Sequence, residues 1–358
     1  MTTLLFAFSN ELDFNNFRVP EFWSLCKLFN VQNVVLDQPT DRFPPFIIVR
    51  GMSEEDAIKI ASREIMLKHV FELWAQAPTF LQAFEQLEKL DDLEFEQKIG
   101  KFVNSSQIPD KCSDSNKLSC ESENNGQQSA LCRLQIIYDV YGSRSLNTDN
   151  EKDEQLYKPL IRCLRGRPII IDLKNPTLKV FIIEDKYSDE FARLQKEGKS
   201  KDLNIKNSVS TIIDYNIPHI FIGRHICDGP RYLLKDFNLK TRPYIGTTSM
   251  REQLSFICAN QGLVRKGSLI NDPYCGTMSI GLSCCQFGGY IIGSDFDIRC
   301  IRGQADRNIR TNFDKHHLPH PELIIADQSH SPYNIFNSKD KLNKELFDGI
   351  ICDPPYGF

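Results

Sequence analysis

Short apolar runs alternate with polar and proline-rich joints along the first fifty residues. Residues 3–8 and 46–49 are continuous apolar stretches of strand length, and residues 34–36 form a shorter one. Between them Phe22, Leu25, Cys26 and Phe29 recur at helical spacing, so residues 20–29 read as a helix. Pro39, Pro44 and Pro45 punctuate the segment, and residues 1–52 read as a small α/β unit. Ser53 followed by Glu54, Glu55 and Asp56 is a helix N-cap with acids in its first turn. Asp56 stands where a capping box places Glu. That helix should end near Arg63. Residues 65–75 fit helix or strand equally. Residues 79–97 carry Phe80, Leu81, Phe84, Leu87 and Leu90 on one stripe and predict a helix.

The middle of the chain changes character. Residues 104–130 are rich in Ser, Asn, Asp and Gln, too polar to order themselves, and read as a disordered insertion. Residues 133–140 resume as a strand. Residues 168–173 predict another, Lys174-Asn175-Pro176 a turn, and residues 178–183 the hairpin partner of the strand before it. Residues 185–207 are a charged connector, and 211–216 and 219–222 are short strands. Gly223, Arg224, His225, Gly229 and Arg231 crowd into nine residues that read as a loop.

After residue 240 the pattern becomes regular. Residues 268–271, 290–294, 322–326 and 349–352 are apolar runs, each leading into an acid: Asp272, Asp295, Asp327 and Asp353. Helical segments lie between them. Ser249 with Glu252 predicts a capping box at the start of a helix over residues 249–261, with Gly262 at its C′ position. Residues 280–285 predict a second helix. Acid-ended strands alternating with helices predict a parallel, doubly wound sheet, in which ligands bind beyond the carboxyl ends of the strands. The loop Asp272-Pro273-Tyr274-Cys275-Gly276-Thr277 lets backbone approach a ligand. Asp295 can accept both ribose hydroxyls of a nucleoside, and Asp327 can reach an adenine amino group. Each acid has a plainer reading: Asp295 and Asp327 as helix N-caps, Asp272 as a loop-organising acceptor, and Asp353-Pro354-Pro355-Tyr356 as a strand-ending turn.

The net charge of −4 gives no global pull toward nucleic acid, so any RNA surface must be local. Arg162, Arg165, Arg167 and Lys174 cluster around one predicted strand, and Arg224 follows later; they are candidates for phosphate contact, or else a solvated face. Twelve cysteines show no Cys-x-x-Cys spacing, and a reducing compartment is the simpler reading. No nearby Cys or acid completes a metal site with His316, His317 and His320, so no metal is expected. With no secretory signal and no apolar run of membrane-spanning length, the expected compartment is the cytoplasm.

Residues 240–358, and Asp353-Pro354-Pro355-Tyr356 above all, resemble Rossmann-type S-adenosylmethionine-dependent amino-methyltransferases. A planar amino nitrogen is a poor nucleophile because its lone pair is delocalised. In such a loop the Asp353 carboxylate and the Pro354 carbonyl would each accept an N–H bond, and Tyr356 would stack on the extruded base. The resemblance narrows further, to catalytic subunits of eukaryotic tRNA (guanine-10-N2) methyltransferases. It is carried by Ser53-Glu54-Glu55-Asp56-Ala57, Asp172-Leu173-Lys174-Asn175-Pro176, Phe221-Ile222-Gly223-Arg224 and Gly246-Thr247-Thr248-Ser249-Met250. The segments 254–261 and 308–313 add to it.

The resemblance implies an N-terminal ferredoxin-like unit (1–52) and a THUMP RNA-binding domain (53–190). It also implies a linker (191–240) and a methyltransferase domain (241–358). It implies S-adenosylmethionine as cofactor, held by Asp272, Pro273, Gly276, Thr277, Asp295 and Asp327. Pro355 belongs with the catalytic loop. Transfer RNA and a small zinc-binding activator subunit are the implied partners. Two departures stand out. Met278 occupies a position where the family has Gly, and the sheet supplies about four of the family's seven strands, as though truncated after residue 358. The expected function is methylation of N2 of guanosine 10 in tRNA. The competing expectations are a non-catalytic tRNA-binding protein and a DNA adenine-N6 methyltransferase.

Overall fold

A computed structural model describes residues 2–9, 13–37, 45–103, 132–142, 148–186, 219–330, 332–333 and 345–355. The expected insertion at 104–130, the strand expected at 211–216, most of the expected linker and Tyr356 lie outside the described residues. The fold is mixed α/β, as the sequence predicts.

The first elements follow the apolar pattern closely. Strand β1 (Thr3–Phe8), helix α1 (Arg18–Leu28), β2 (Val35–Asp37), β3 (Phe46–Arg50) and helix α2 (Glu54–Ala61) come in the expected order. Ser53 Oγ accepts from the Asp56 amide at 3.1 Å, so the N-cap is built as read. The ambiguous segment is a strand, β4 (Leu67–Ala77). The expected helix over 79–97 is interrupted. Helix α3 (Phe80–Glu88) is capped by Thr79, and α4 (Asp92–Phe95) restarts after Asp91, whose carboxylate accepts from the Glu94 amide at 2.8 Å. A second N-cap inside the apolar stripe outcompetes continuation, because an Asp side chain satisfies an orphan N–H best at a helix start.

The chain then forms β5 (Cys132–Tyr141), helix α5 (Lys158–Cys163), β6 (Ile169–Ile171), β7 (Leu178–Asp185) and β8 (Ile220–Asp228). The predicted hairpin between residues 168–173 and 178–183 does not form. Instead β6 and β7 lie parallel to β5 on its two sides, with Leu134 opposite both Ile171 and Leu178. The turn exists, but it crosses the end of β5. Asp172 N donates to Leu134 O, and Thr177 N donates to Arg133 O. This is how the connection satisfies its backbone while leaving room for a strand between its arms. The expected loop at 223–231 is likewise strand up to Asp228, because β8 pairs antiparallel with β7 from Ile220 to Arg224. Gly223 is in the strand because a Cβ there would sit 2.4 Å from Glu72 O.

Two compact units result: Phe71–Ile226 with Met1–Leu5 and Asp37–Pro44, and Cys227–Phe358 with Phe6–Leu36 and Pro45–Val70. In the first, the strands run β4-β8-β7-β5-β6. Its core gathers Trp74, Phe84, Leu87, Phe95, Leu134, Leu160, Val180 and Ile222 under α3, α4 and α5.

The second unit carries the C-terminal sheet. Helix α6 (Glu252–Gln261), β9 (Leu269–Asp272), helix α7 (Ser279–Gln286), β10 (Tyr290–Asp295), helices α8 (Ile298–Arg302) and α9 (Ile309–Lys315), β11 (Glu322–Ile325) and β12 (Gly349–Ile350) alternate. The strands are all parallel in the order β11-β10-β9-β12, the order expected of a doubly wound sheet. Helix α6 starts later than predicted. Ser249 Oγ does not cap it but binds Gly246 N and Thr277 Oγ1, and the Glu252 carboxylate accepts from Asn238 and Leu239. At its other end Gly262 is helical in φ, and Leu263 takes the left-handed position at φ +55°. Gly262 is held to glycine by space, since a Cβ there would meet Ile351 Cδ1 at 2.3 Å.

Helix α1 packs on α6 within this unit. Asn260 on α6 donates to Glu21 Oε1 at 2.6 Å and to Arg63 O at 2.7 Å, and accepts from Arg63 Nε at 3.0 Å. Burial pushes the Glu21 and Glu64 carboxyls up, Glu64 well above the ordinary range.

Candidate active site

The carboxyl edge of the parallel sheet collects the acids that the sequence placed at strand ends. Asp272 closes β9 and is almost fully buried, at 2% exposure. Its Oδ1 accepts from the Tyr274 amide at 3.2 Å. Burial, reinforced by the charges of Asp295 and Asp353, pushes its carboxyl up to about 7. Asp295 and Asp353, at the ends of β10 and β12, are therefore close enough for their charges to act on Asp272 at the end of β9.

The loop from Pro273 to Met278 is tied to β10. Cys275 N donates to Ser294 O and Gly276 N to Asp295 Oδ2, both at 2.9 Å. Asp295 Oδ1 accepts from Asp297 N at 2.9 Å. Gly276 has φ +49°, and a Cβ on it would meet nothing within 4 Å, so the loop's outer face is open there. Thr277 is buried and pairs with Ser249 Oγ at 2.7 Å. Pro273 O accepts from the fully buried Ser294 hydroxyl, which also accepts from Gln328 beyond β11.

Asp327, after β11, is exposed. Its carboxylate accepts from Ser329 N at 2.9 Å, and that bond holds it below the usual carboxylate range. Asp353, Pro354 and Pro355 follow β12 as an exposed segment. The Asp353 charge is felt by Cys258 on α6, whose thiol is pushed up to about 11, chiefly by burial.

Sequence reasoning missed several residues here. Phe296, directly after Asp295, is 79% exposed at the strand's carboxyl end. The segment 237–250 is docked by buried polar groups. Asn312 accepts from Tyr244 N and donates to Tyr244 O, both at 2.8 Å, and Arg242 donates to Ser279 Oγ at 2.8 Å. The segment Gly246-Thr247-Thr248-Ser249 was legible as unusual, but its serine reads equally well as a helix cap. Only the distance to Thr277 decides between the two.

The arginine cluster lies in the other unit and is paired. Arg162 binds Glu88 at 2.8 Å, Arg165 binds Asp92 at 2.6 Å, and Arg167 binds Glu96. Arg165 and Arg167 also lie over the Phe95 ring. Arg224 is turned inward, 2.9 Å from Glu72 and over Phe102. Lys174 N donates to Asp172 Oδ1 in the turn around β5. His316 stacks on Phe237 at 3.9 Å, and His320 binds Asp314 at 2.6 Å.

Residues 4–105 match the Tmrp11 THUMP N-terminal domain. The chain is 29% identical over 363 residues to tRNA (guanine(10)-N(2))-methyltransferase TRMT11 of Dictyostelium discoideum, covering 96% of this chain and 60% of that protein. The human protein of the same name is 27% identical over 355 residues, covering 95% and 63%. That of Saccharomyces cerevisiae is 26% identical over 344 residues, covering 96% and 65%. The chain therefore resembles these methyltransferases along nearly its whole length, while spanning about three fifths of theirs. Among solved structures, TrmN from Thermus thermophilus aligns with a TM-score of 0.41 at 14% identity over 99% of this chain and 80% of that one. SMU.472, a putative methyltransferase complexed with SAH, aligns at 0.43 and 13% over 100% and 81%.

Proposed function

We propose that the chain carries the cofactor- and amine-binding part of an S-adenosylmethionine-dependent tRNA methyltransferase that forms N2-methylguanosine at position 10. The observation that carries this reading is the parallel order β11-β10-β9-β12, with Asp272 on its carboxyl edge within reach of the charges of Asp295 and Asp353.

The edge fits such a cofactor. Gly276 leaves open space where a side chain would stand. Each Asp295 oxygen takes one backbone N–H, leaving a lone pair on each for ribose hydroxyls. Phe296 offers a ring to the adenine, and Asp327 lies within the same edge. Asp272 and Pro273, with Thr277 held by Ser249, shape the loop beneath. When bound, the cofactor supplies a methyl group made electrophilic by its sulfonium. The chain's own contribution is to prepare the nucleophile. The Asp353 carboxylate and the Pro354 carbonyl accept N–H bonds from the guanine amine and turn its lone pair outward. Pro355 stiffens the loop, and Tyr356 stacks on the extruded base.

Substrate contact through the first unit falls to Arg162, Arg165, Arg167 and Lys174. Arg162 and Arg165 form ion pairs with exposed partners, worth at most about 1 kcal/mol each, which a phosphate can displace. The Arg224–Glu72 pair is buried, so Arg224 is assigned to holding β8 on β4 instead. We place the enzyme in the cytoplasm, acting with a small zinc-binding activator.

The test is methyl transfer from labelled S-adenosylmethionine to tRNA by the full-length protein with that activator. Labelled tRNA is expected. Asp353→Asn should lower the rate by roughly 100-fold or more while S-adenosylhomocysteine still binds. Absence of labelled tRNA would overturn the proposal, and preferential labelling of duplex DNA would point to adenine methylation.

A further inference from the structure

We propose that Met278 is a positioning residue: its side chain fills a socket left open by Gly281 and Gly293, and so fixes the loop on which the proposed cofactor rests. The inference deepens the reading above and rests on it for the identity of the ligand. Met278 has φ +64° and ψ +36°, a left-handed conformation that strains a side-chain-bearing residue and is the usual place for glycine. Yet its side chain is fully buried. Two glycines lie against it. A Cβ on Gly293 would stand 2.5 Å from Met278 Cε and 2.9 Å from Cys275 Cβ. A Cβ on Gly281 would stand 3.0 Å from Met278 Sδ.

Neither glycine needs its conformational freedom. Gly293 lies inside β10 and Gly281 inside α7, positions where glycine weakens the element. Their occurrence is explained by space, and the space is filled by an unbranched thioether, the side chain best able to thread it. Three residues that are each locally unfavourable make one contact that joins the loop to β10 and α7. The contact lies two residues from another tie between the same segments, Gly276 N to Asp295 Oδ2. Displacing the peg therefore moves the loop backbone relative to the acid proposed to hold the ribose.

Three measurements on the full-length protein test this: thermal unfolding, hydrogen exchange at the Gly276 and Thr277 amides, and S-adenosylhomocysteine binding by calorimetry. Backbone freedom alone predicts that Met278→Gly stabilises the fold. The socket predicts a melting temperature lower by about 3 °C or more, and loop amides exchanging at least about tenfold faster while those of β10 stay protected. Gly293→Ala should weaken ligand binding about tenfold in the parent. In a Met278→Ala background it should weaken it by less than about threefold, because the nearest clash, with the Met278 side chain, is gone and only the approach to Cys275 Cβ remains. A rise in melting temperature for Met278→Gly, or an equal Gly293→Ala effect in both backgrounds, would overturn the assignment. If the parent binds no S-adenosylhomocysteine, the proposed function fails, while unfolding and exchange still decide whether Met278 holds the loop.

Discussion

Asp272 is the residue at which burial and charge meet. Its folded-state value of about 7 lies above the ordinary carboxylate range, so the native chain binds a proton that the unfolded chain has released. The stabilisation linked to that proton is complete below about pH 4 and is lost as pH rises through about 7. Glu64, also raised, acts with the same sign. Stability measured by urea melts is thus expected to fall between pH 4.5 and 7.5. Asp272→Asn, neutral at every pH, should flatten the part of the slope belonging to this site. An unchanged slope in the variant would refute the assignment. That Asp272 ends a strand can be read in the sequence. That it is buried beside two other acids cannot, because the three are 23 to 81 positions apart in the chain and only the parallel sheet gathers them.

At the scale of elements, the apolar period located the strands and helices, and local polar competition set where they stop. The stripe over 79–97 breaks at Asp91 because a second cap is available there. Asp91→Ala should cost about 1 kcal/mol, seen as a lower urea midpoint with unchanged slope. One of the ties on the segment 237–250 is a side chain from a distant helix. Asn312 is fully buried and satisfies both backbone groups of Tyr244. Asn312→Ala should cost about 2 kcal/mol or more by leaving those groups unpaired, and should speed exchange of the Tyr244 amide ahead of the β9 amides. Equal protection of the two would mean that the segment is held by other contacts. The hairpin expected at 168–183 failed for a reason invisible to local pattern: turn chemistry at Lys174-Asn175-Pro176 is the same whether two strands pair directly or a third lies between them.

For the whole molecule, the compact units do not follow the chain in order. The unit that carries the parallel sheet also takes in residues 6–36 and 45–70. Glu21 and Arg63 reach Asn260 of α6, with buried carboxyls among them. A fragment beginning at Cys227 would expose the face of α6 that α1 covers. It is expected to unfold without a cooperative transition in calorimetry, whereas the full chain should show one. A sharp transition in the fragment would show that the N-terminal segments contribute little. No helix among the described residues is long and apolar enough to cross a membrane.

The sequence by itself determined most elements, the parallel sheet and the acids at its strand ends, because hydrophobic period and strand-terminal chemistry are local properties. It also supplied the resemblance to tRNA guanine methyltransferases, carried by contiguous motifs. Tertiary structure alone decided that β6 and β7 flank β5, that Arg224 faces inward to Glu72, and that Ser249 grips Thr277 instead of capping a helix. It also decided that Met278, an intruder by motif, is a peg whose socket two distant glycines provide. Each of these depends on which residues, far apart in the chain, share one small volume, and no local pattern records that.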